Sequence, residues 1–261
     1  MEKVRLQKII ADSGYCSRRR AEQYIQNGEV KVNGRPCSIG DKADPRNDLI
    51  TVNGEKIRAD GVTLRYIKLY KPRGYVTTMS DEQGRKTITD LLDGIEERVY
   101  PIGRLDRTSE GLLLLTNDGS FANDIMHPTK HVAKTYRVTV AEKVTEEQIN
   151  KLMAGVEIEP NVMTRPCIVN ILLEEEERTV LEFIIKEGKN RQIRRMCEVV
   201  GLKVIRLQRI AIGDLGLGET EAEKKESADQ IVNDLAGSEV YAQLTSEDFA
   251  LKDGDAVKGI A

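Results

Sequence analysis

The stretch that most constrains the fold is a polar loop that leads into a run of four leucines. Residues 103–119 contain this run, Leu112–Leu115, which ends at an Asn-Asp-Gly turn. An unbroken apolar run bounded by turn residues is typical of a strand buried on both faces. The preceding loop carries one carboxylate, Asp106, between Arg104 and Arg107. Loops fixed by a rigid strand often hold chemistry, although an isolated Asp-Arg pair is more commonly a surface salt bridge.

The whole string from Gly103 to Gly119 resembles the motif that carries the nucleophilic aspartate in pseudouridine synthases that modify ribosomal RNA. The resemblance implies that Asp106 is the catalytic nucleophile. The string Lys134-Thr135-Tyr136-Arg137-Val138 is similar to a second family motif, and it implies that Tyr136 packs against the target base. A stacked aromatic ring contributes about 1–3 kcal/mol per base, so this role is physically sensible.

A third string, Glu187 to Cys197, combines an apolar and a basic face on one predicted helix. Ile193, Met196 and Cys197 share one face by their spacing, and Arg191, Arg194 and Arg195 share another. By itself the basic face could be a solvated one. The Gln-Ile-Arg core of the string resembles the same family, and this resemblance implies that Arg194 forms an ion pair with Asp106.

The first segment predicts a helix, a turn, a second helix and a hairpin. Ser17 is a suitable N-cap for a helix over 18–26, and Asn33-Gly34 is a strong hairpin turn. Arg18-Arg19-Arg20 at a helix start is electrostatically unfavourable, by roughly 0.3–1 kcal/mol for each charge. Phosphate groups would compensate for this, whereas a solvated charge run is the simpler alternative.

The segment from about Val4 to Val52 resembles the α-L RNA-binding domain, also called the S4-like domain. The strings Arg5-Leu6-Gln7-Lys8, Ser17 to Glu22 and Gly28 to Gly34 carry this resemblance. It implies RNA contacts from the second helix and from the hairpin that holds Lys31.

The charge distribution is uneven along the chain. The net charge is −3, but residues 219–261 hold 11 acidic and 4 basic side chains, a balance of −7 that leaves +4 in residues 1–218. The basic part is compatible with nucleic-acid binding, which follows local patches and not the overall sum. The acidic insertion at 219–238 departs from the family pattern, and no function is predicted for it.

Composition narrows the class of protein further. The four cysteines are far apart, without a C-x-x-C pair, and no apolar run is long enough to cross a bilayer. We therefore expect a cytoplasmic protein with reduced thiols, no signal peptide, no metal and no cofactor. We also expect a monomer that does not bind a membrane.

The resemblance implies an α+β fold. It implies a small α-L domain over residues 1–60 and a larger catalytic domain over residues 61–250, with a mixed, mostly antiparallel sheet flanked by helices. Residues 251–261 are expected to be a disordered tail. Within the catalytic domain, Ser120 and Thr145 are predicted to cap helices.

The activity that the resemblance implies is the conversion of a uridine in ribosomal RNA to pseudouridine. The substrate would be the RNA alone or the RNA within pre-ribosomal particles. Asp106 would attack either the anomeric carbon of the ribose or carbon 6 of the uracil. The motifs are most similar to those of enzymes that act on the large ribosomal subunit, with a small-subunit enzyme as the nearest alternative. A purely RNA-binding protein and a sugar hydrolase are competing functions, but a hydrolase usually has two catalytic acids.

The candidate site residues form two groups. The catalytic group is Asp106, Tyr136 and Arg194. The RNA-binding group contains basic and amide side chains: Arg5, Lys8, Arg18, Arg19, Arg20, Lys31, Arg104, Arg107, Lys134, Lys189, Asn190, Arg191, Gln192 and Arg195. Lys71 belongs to a Lys-Pro-x-Gly string that also resembles a family motif. A position of Lys71 near the site is an open alternative, and it is not counted among the site residues.

Overall fold

The computed structural model describes residues 3–58, 62–217 and, for the backbone, 241–243. These residues group into two compact units. The first contains the residues up to Arg65 with Ile95–Tyr100 and Thr116–Ser120, and the second contains Tyr66–Gly94, Pro101–Leu115 and those from Phe121 onward. The predicted boundary at residue 60, the acidic insertion at 219–238 and the tail from 251 lie outside the described residues.

The first unit is built from two helices and short strands. In chain order these are β1 (Val4–Arg5), α1 (Leu6–Asp12), α2 (Arg18–Gln26), β2 (Val30–Val32), β3 (Arg35–Pro36), β4 (Lys42–Ala43), β5 (Ile50–Val52) and β6 (Glu55–Ile57). The strands form a sheet in the order β3-β2-β5-β6 and a separate β1-β4 pair. Leu6, Ile10 and Ile25 are buried in the core of this unit.

Local sequence signals explain these elements well. The Ser17 side chain accepts a hydrogen bond from the backbone N–H of Arg20 and caps α2, as predicted. The hairpin turn at Asn33-Gly34 is also confirmed, since both residues have positive φ angles and the flanking strands β2 and β3 pair antiparallel.

The remaining elements continue in chain order from residue 66. They are β7 (Tyr66–Lys71), a 3₁₀ helix (Ile88–Leu91), β8 (Tyr100–Ile102), β9 (Glu110–Thr116), α3 (Gly119–Met126), a second 3₁₀ helix (Pro128–Lys130), β10 (Lys134–Val140), α4 (Glu146–Ala154), β11 (Glu157–Glu159), β12 (Val162–Met163), β13 (Ile168–Glu174), β14 (Thr179–Ile185), α5 (Gln192–Val199), β15 (Val204–Ile212), β16 (Leu215–Gly216) and β17 (Tyr241–Gln243).

The main sheet has nine strands in the described part of the chain. The order is β13-β14-β10-β15-β9-β7-β17, with β8 paired to β9 and β16 paired to β15. Strands β13, β14, β10 and β15 pair antiparallel in succession, whereas β15 and β9 pair parallel. The predicted α+β class and mixed, mostly antiparallel sheet are therefore confirmed.

The leucine run forms the interior of this sheet. Every residue of β9 is buried, as the unbroken apolar pattern predicted. The helix α5 packs Ile193, Met196 and Cys197 into the core, which confirms its predicted apolar face. The capping box at Thr145 is present at the start of α4.

One predicted helix start was wrong. The helix α3 begins at Gly119, and the carboxylate of Asp118 accepts the hydrogen bond from the backbone N–H of Ser120. Asp118 therefore takes the capping role that the sequence analysis gave to Ser120. In the run Asn117-Asp118-Gly119-Ser120 several residues suit a cap, so local preference alone did not identify the one used.

Candidate active site

The loop that carries Asp106, residues 103–109, lies between β8 and β9 and is called the Asp106 loop below. Asp106 is partly exposed, with 37% of its side chain accessible. Five successive backbone carbonyls of this loop each accept a hydrogen bond. The pairs are Leu105 with Thr77 Oγ1 (2.7 Å), Asp106 with Ser109 N (3.0 Å), Arg107 with Gly74 N (2.7 Å), Thr108 with Arg194 Nη2 (3.0 Å) and Ser109 with Lys71 Nζ (2.7 Å).

Lys71 is one of these anchors and is completely buried. Its Nζ donates to the carbonyl oxygens of Ser109 at 2.7 Å and Pro72 at 3.0 Å. Burial lowers the pKa of Lys71 to about 8, and the charges of Asp106 and Glu110 oppose this effect. Lys71 therefore holds the end of the Asp106 loop.

The turn after Lys71 holds the same loop at two more places. The backbone of Gly74, which has a φ of +95°, donates to Arg107 O at 2.7 Å and accepts from Arg107 Nε at 3.2 Å. Thr77 Oγ1 both donates to the Leu105 carbonyl and accepts from the Leu105 N–H. The Lys-Pro-x-Gly string thus supports the loop structurally.

The second side of the site is the arginine segment, residues 188–195, which includes the start of α5. The ion pair with Asp106 comes from Arg191, whose Nη1 lies 3.9 Å from Asp106 Oδ2. Arg191 has a left-handed backbone, with a φ of +51°, at the N-cap position of α5. Its side chain is 48% exposed, so this pair contributes only about 0–1 kcal/mol.

The predicted ion pair between Arg194 and Asp106 is not formed in the structure. The guanidinium of Arg194 donates from Nη2 to the Thr108 carbonyl, two residues after Asp106. Burial and the nearby charge of Arg191 lower the pKa of Arg194, while Asp106 raises it. The position of Arg194 on α5, one helical turn after Arg191, directs it to the backbone of the loop and not to the carboxylate.

Tyr136 lies on β10 and is partly buried against the core. It lines the same cavity as Asp106 and Arg191, with a volume of about 650 Å³. Apolar side chains from β14, α5 and β15 complete the lining, among them Ile185, Ile193 and Leu207. The cavity therefore combines a carboxylate, an aromatic ring and aliphatic surface in the second unit.

Most of the predicted RNA-binding residues of the second unit also line this cavity. Those in the lining are Arg104, Lys134, Lys189, Asn190, Arg191 and Gln192. Two others contact different groups, since Arg107 bonds to Gly74 and Arg195 bonds to Glu159 and Asn190. Burial and the charge of Arg209 lower the pKa of Lys134.

In the first unit the predicted RNA-binding residues are on the surface. Arg5, Arg18, Arg19, Arg20 and Lys31 are exposed, and Lys8 is partly buried and paired with Asp12. The Arg20 guanidinium lies 4.8 Å from the centre of the Tyr24 ring. These placements are compatible with phosphate contacts, and the roles themselves stay predictions.

Arg209 and Ser109 also line the cavity, although neither was among the predicted site residues. Both are nearly inaccessible, with 4% and 1% exposed. No local pattern identifies an arginine within a strand as a cavity residue, because its position depends on pairing with strands far away in sequence. In the described ranges no group of three His, Cys, Asp or Glu side chains is placed to hold a metal ion.

A cavity that holds a partly exposed carboxylate is typical of an enzyme, and comparison with known proteins identifies the class. Residues 65–199 match the RNA pseudouridylate synthase family, and residues 4–50 match the S4 domain. Ribosomal large subunit pseudouridine synthase B of Bacillus subtilis (strain 168) is 45% identical over 208 residues, which span 78% of this chain and 84% of that protein.

Two further relatives agree. Dual-specificity RNA pseudouridine synthase RluF of Escherichia coli (strain K12) is 42% identical over 215 residues, covering 82% of this chain and 71% of the relative. A crystal structure of a pseudouridylate synthase superposes with a TM-score of 0.63 at 30% identity, covering 94% of this chain and 97% of the other. The chain therefore belongs to the RNA pseudouridylate synthase family and is an RNA pseudouridine synthase.

The resemblance inferred from the motifs is confirmed at the level of family and domain type. Within the described ranges, no helix has both the length and the apolar composition required to span a membrane.

Proposed function

We propose that this enzyme converts a uridine of large-subunit ribosomal RNA to pseudouridine, with Asp106 as its nucleophile. The observation that carries the proposal is the cavity in which the partly exposed carboxylate of Asp106 and the ring of Tyr136 line one space. The large-subunit assignment is supported by the 45% identity to a protein named for that substrate. The enzyme would act in the cytoplasm as a monomer. Its substrate would be ribosomal RNA alone or within pre-ribosomal particles.

The reaction breaks the bond from ribose to the base nitrogen, turns the uracil and joins it again through carbon 5. Asp106 adds to an electrophilic carbon of the nucleotide, either the anomeric carbon or carbon 6 of the base. At the anomeric carbon, carbon 5 of the turned uracil displaces Asp106 as the new bond forms. At carbon 6, Asp106 leaves by elimination after the new bond has formed. The side chain is partly exposed at the cavity, so it can meet a nucleotide without a large rearrangement.

A uridine in folded RNA must leave its stack to enter this cavity. Tyr136 supplies a ring for the extruded base, and Ile193 and Leu207 supply aliphatic surface. Arg104, Lys189 and Arg191 line the same space and would contact the phosphates that flank the target nucleotide. To complete the reaction, carbon 5 loses its proton and the freed ring nitrogen gains one, so that substrate and product contain the same atoms.

The test is pseudouridine formation in large-subunit ribosomal RNA incubated with the purified protein. Because pseudouridine does not change the mass of RNA, carbodiimide labelling followed by reverse transcription detects it. We expect Asp106→Ala and Asp106→Asn to abolish the product while RNA binding persists. Asp124→Asn, which removes an exposed carboxylate of α3, is the matched control and should keep wild-type activity.

Wild-type turnover by either Asp106 variant would contradict the nucleophile assignment. The substrate is tested separately, by mapping pseudouridines in ribosomes from cells that lack this protein. Loss of one site in large-subunit RNA is the expected result, whereas loss of a site in small-subunit RNA alone would overturn the large-subunit assignment.

A further inference from the structure

Arg209 is a charged residue within the cavity that has no role in the mechanism above. It lies on β15, where its side chain is only 4% exposed, and it lines the same cavity as Asp106. In the antiparallel pairing of β10 with β15, Arg209 is directly opposite Tyr136. Residues that are directly opposite project from the same face of a sheet, with Cβ atoms about 5 Å apart. Arg209 is therefore next to the ring on which the base is proposed to rest.

The contacts of Arg209 fix one part of its guanidinium. Nε donates to the carbonyl oxygen of Leu112 on β9 at 2.7 Å. The backbones approach very closely here, because Gly111 pairs with Arg209 and a Cβ at Gly111 would lie 2.2 Å from the Arg209 carbonyl oxygen. The Arg209 side chain is thus held to β9, the strand that follows the Asp106 loop.

The other end of the guanidinium has no comparable support. Among the described residues, Nη2 of Arg209 is buried and has no hydrogen-bond partner. The hydroxyl of Ser109, which lines the same cavity, is also buried without a hydrogen-bond partner among the described residues. A buried donor without a partner costs about 1–3 kcal/mol, and more when it is charged. A nearby cation makes the position less favourable still, since Lys134 also lines this cavity.

These conditions favour an electron-rich oxygen as the partner of Arg209. A ribose-phosphate group is poorly suited, because it is large and strongly hydrated and the side chain is almost inaccessible from solvent. A carbonyl oxygen of a flat base that enters the cavity against Tyr136 is suited in size and in position. During the reaction the uracil becomes electron-rich at its carbonyl oxygens, and a fixed donor at such an oxygen stabilises the transition state.

We propose that Arg209 is a substrate-contacting residue that donates a hydrogen bond from its guanidinium to a carbonyl oxygen of the target uracil. The inference rests on the proposed function, since it requires a uridine in the cavity. Arg209 would act on the chemical step more than on RNA affinity, because the affinity arises mainly from phosphate contacts elsewhere.

The experiment compares Arg209→Met and Arg209→Lys with Arg137→Met, an exposed arginine on β10. We expect Arg209→Met to lower the single-turnover rate at saturating RNA about 10²-fold, as loss of one fixed donor does in other enzymes. The Kd for RNA should change less than about twofold, and Arg209→Lys should recover part of the rate. The control variant should keep the wild-type rate.

A second measurement distinguishes a direct contact from a structural role. The target uridine is replaced by 2-thiouridine or by 4-thiouridine, because sulfur is a weak hydrogen-bond acceptor. If Arg209 bonds to the carbonyl oxygen at position 2 or at position 4, the replacement of that oxygen by sulfur slows the wild-type enzyme. The same replacement then has little further effect on Arg209→Met, as in a double-mutant cycle. If Arg209→Met does not fold, the effects of the two thio substitutions are compared between the wild type and Arg209→Lys instead.

The possible failures are distinct. Equal slowing of the wild type and the Arg209 variant by both thio substitutions, or a wild-type rate in Arg209→Met, would overturn the contact and leave the proposed function intact. Absence of pseudouridine with the wild-type enzyme on the unmodified RNA would overturn the proposed function and this inference together.

Discussion

The two sides of the cavity are built differently. On one side, five successive carbonyls of the Asp106 loop accept hydrogen bonds, four of them from donors outside the loop, so the backbone that carries the carboxylate is held in place. On the other side, Arg191 is 48% exposed and reaches the carboxylate only at 3.9 Å. The comparison indicates that the fold preorganises the nucleophile, whereas the cation can change partners when RNA binds.

The largest effect should come from a methyl group added on the fixed side. Gly111 has a φ of +104°, and a Cβ there would lie 2.2 Å from the Arg209 carbonyl oxygen. Gly111→Ala should lower the free energy of unfolding by about 3–4 kcal/mol, from overpacking and backbone strain together. Urea denaturation of the purified variant measures this.

Gly188→Ala is the matched control on the other side, because a Cβ at Gly188 meets nothing within 4 Å. It should change the stability by no more than about 0.5 kcal/mol. An equal decrease in the free energy of unfolding of the two variants would show that the two sides of the cavity do not differ in how closely they are packed.

The next effect compares the two arginines. Arg194 is partly buried and donates to the Thr108 carbonyl, whereas Arg191 only pairs with Asp106 from an exposed position. Arg194→Ala leaves a carbonyl of the loop without its donor and removes a partly buried positive charge near Asp106. We expect it to lower kcat about 10²-fold.

Arg191→Ala should lower kcat less than about threefold, although it removes the ion pair that the structure contains. The measurement is single-turnover kinetics at saturating RNA. A larger loss in Arg191→Ala than in Arg194→Ala would mean that Arg191 keeps its position in the reacting complex and is the true partner of Asp106.

The sequence predicted those parts of the site that depend on local pattern. The leucine run predicted a buried strand, and the spacing of Ile193, Met196 and Cys197 predicted the buried face of α5. Each of these signals lies within a few residues of the structure it specifies, so periodicity is enough to find it.

The contacts that hold the site are of a different kind. Lys71 bonds to a residue 38 positions away, Arg194 to one 86 away and Arg209 to one 97 away. Such contacts depend on strand order and register, which one sequence without relatives does not reveal. The choice between Arg191 and Arg194 as the partner of Asp106 was missed for the same reason. The spacing predicted both arginines on one helix face, whereas Arg191 adopts a left-handed backbone at the N-cap of α5.

A smaller effect concerns the buried amine of the fixed side. Burial lowers the pKa of Lys71 to about 8, while the unfolded chain keeps this proton to about 10.5. Between these pH values the unfolded state binds more protons, so the free energy of unfolding rises with pH through this window. From pH 7 to pH 9.5 the contribution of Lys71 is on the order of 2 kcal/mol.

The measurement is urea denaturation of the wild type and of Lys71→Met at both pH values. The difference in stability between the two proteins should shift in favour of the wild type as the pH rises, since the variant has no amine to deprotonate. A difference that stays constant would show that Lys71 is already neutral at pH 7 or remains charged at pH 9.5.

The smallest effect tests a single anchor of the Asp106 loop. Thr77 is buried, and its hydroxyl both donates to the Leu105 carbonyl and accepts from the Leu105 N–H, next to Asp106. Thr77→Val keeps the shape but leaves both backbone groups without partners, so it should cost about 1 kcal/mol of stability and a few-fold in kcat. Thr78→Val, whose hydroxyl bonds only within an exposed turn, should change neither. If the two variants behave alike in denaturation and in single-turnover kinetics, the other four carbonyl contacts suffice to fix the loop, and the difference between the two sides of the cavity does not depend on Thr77.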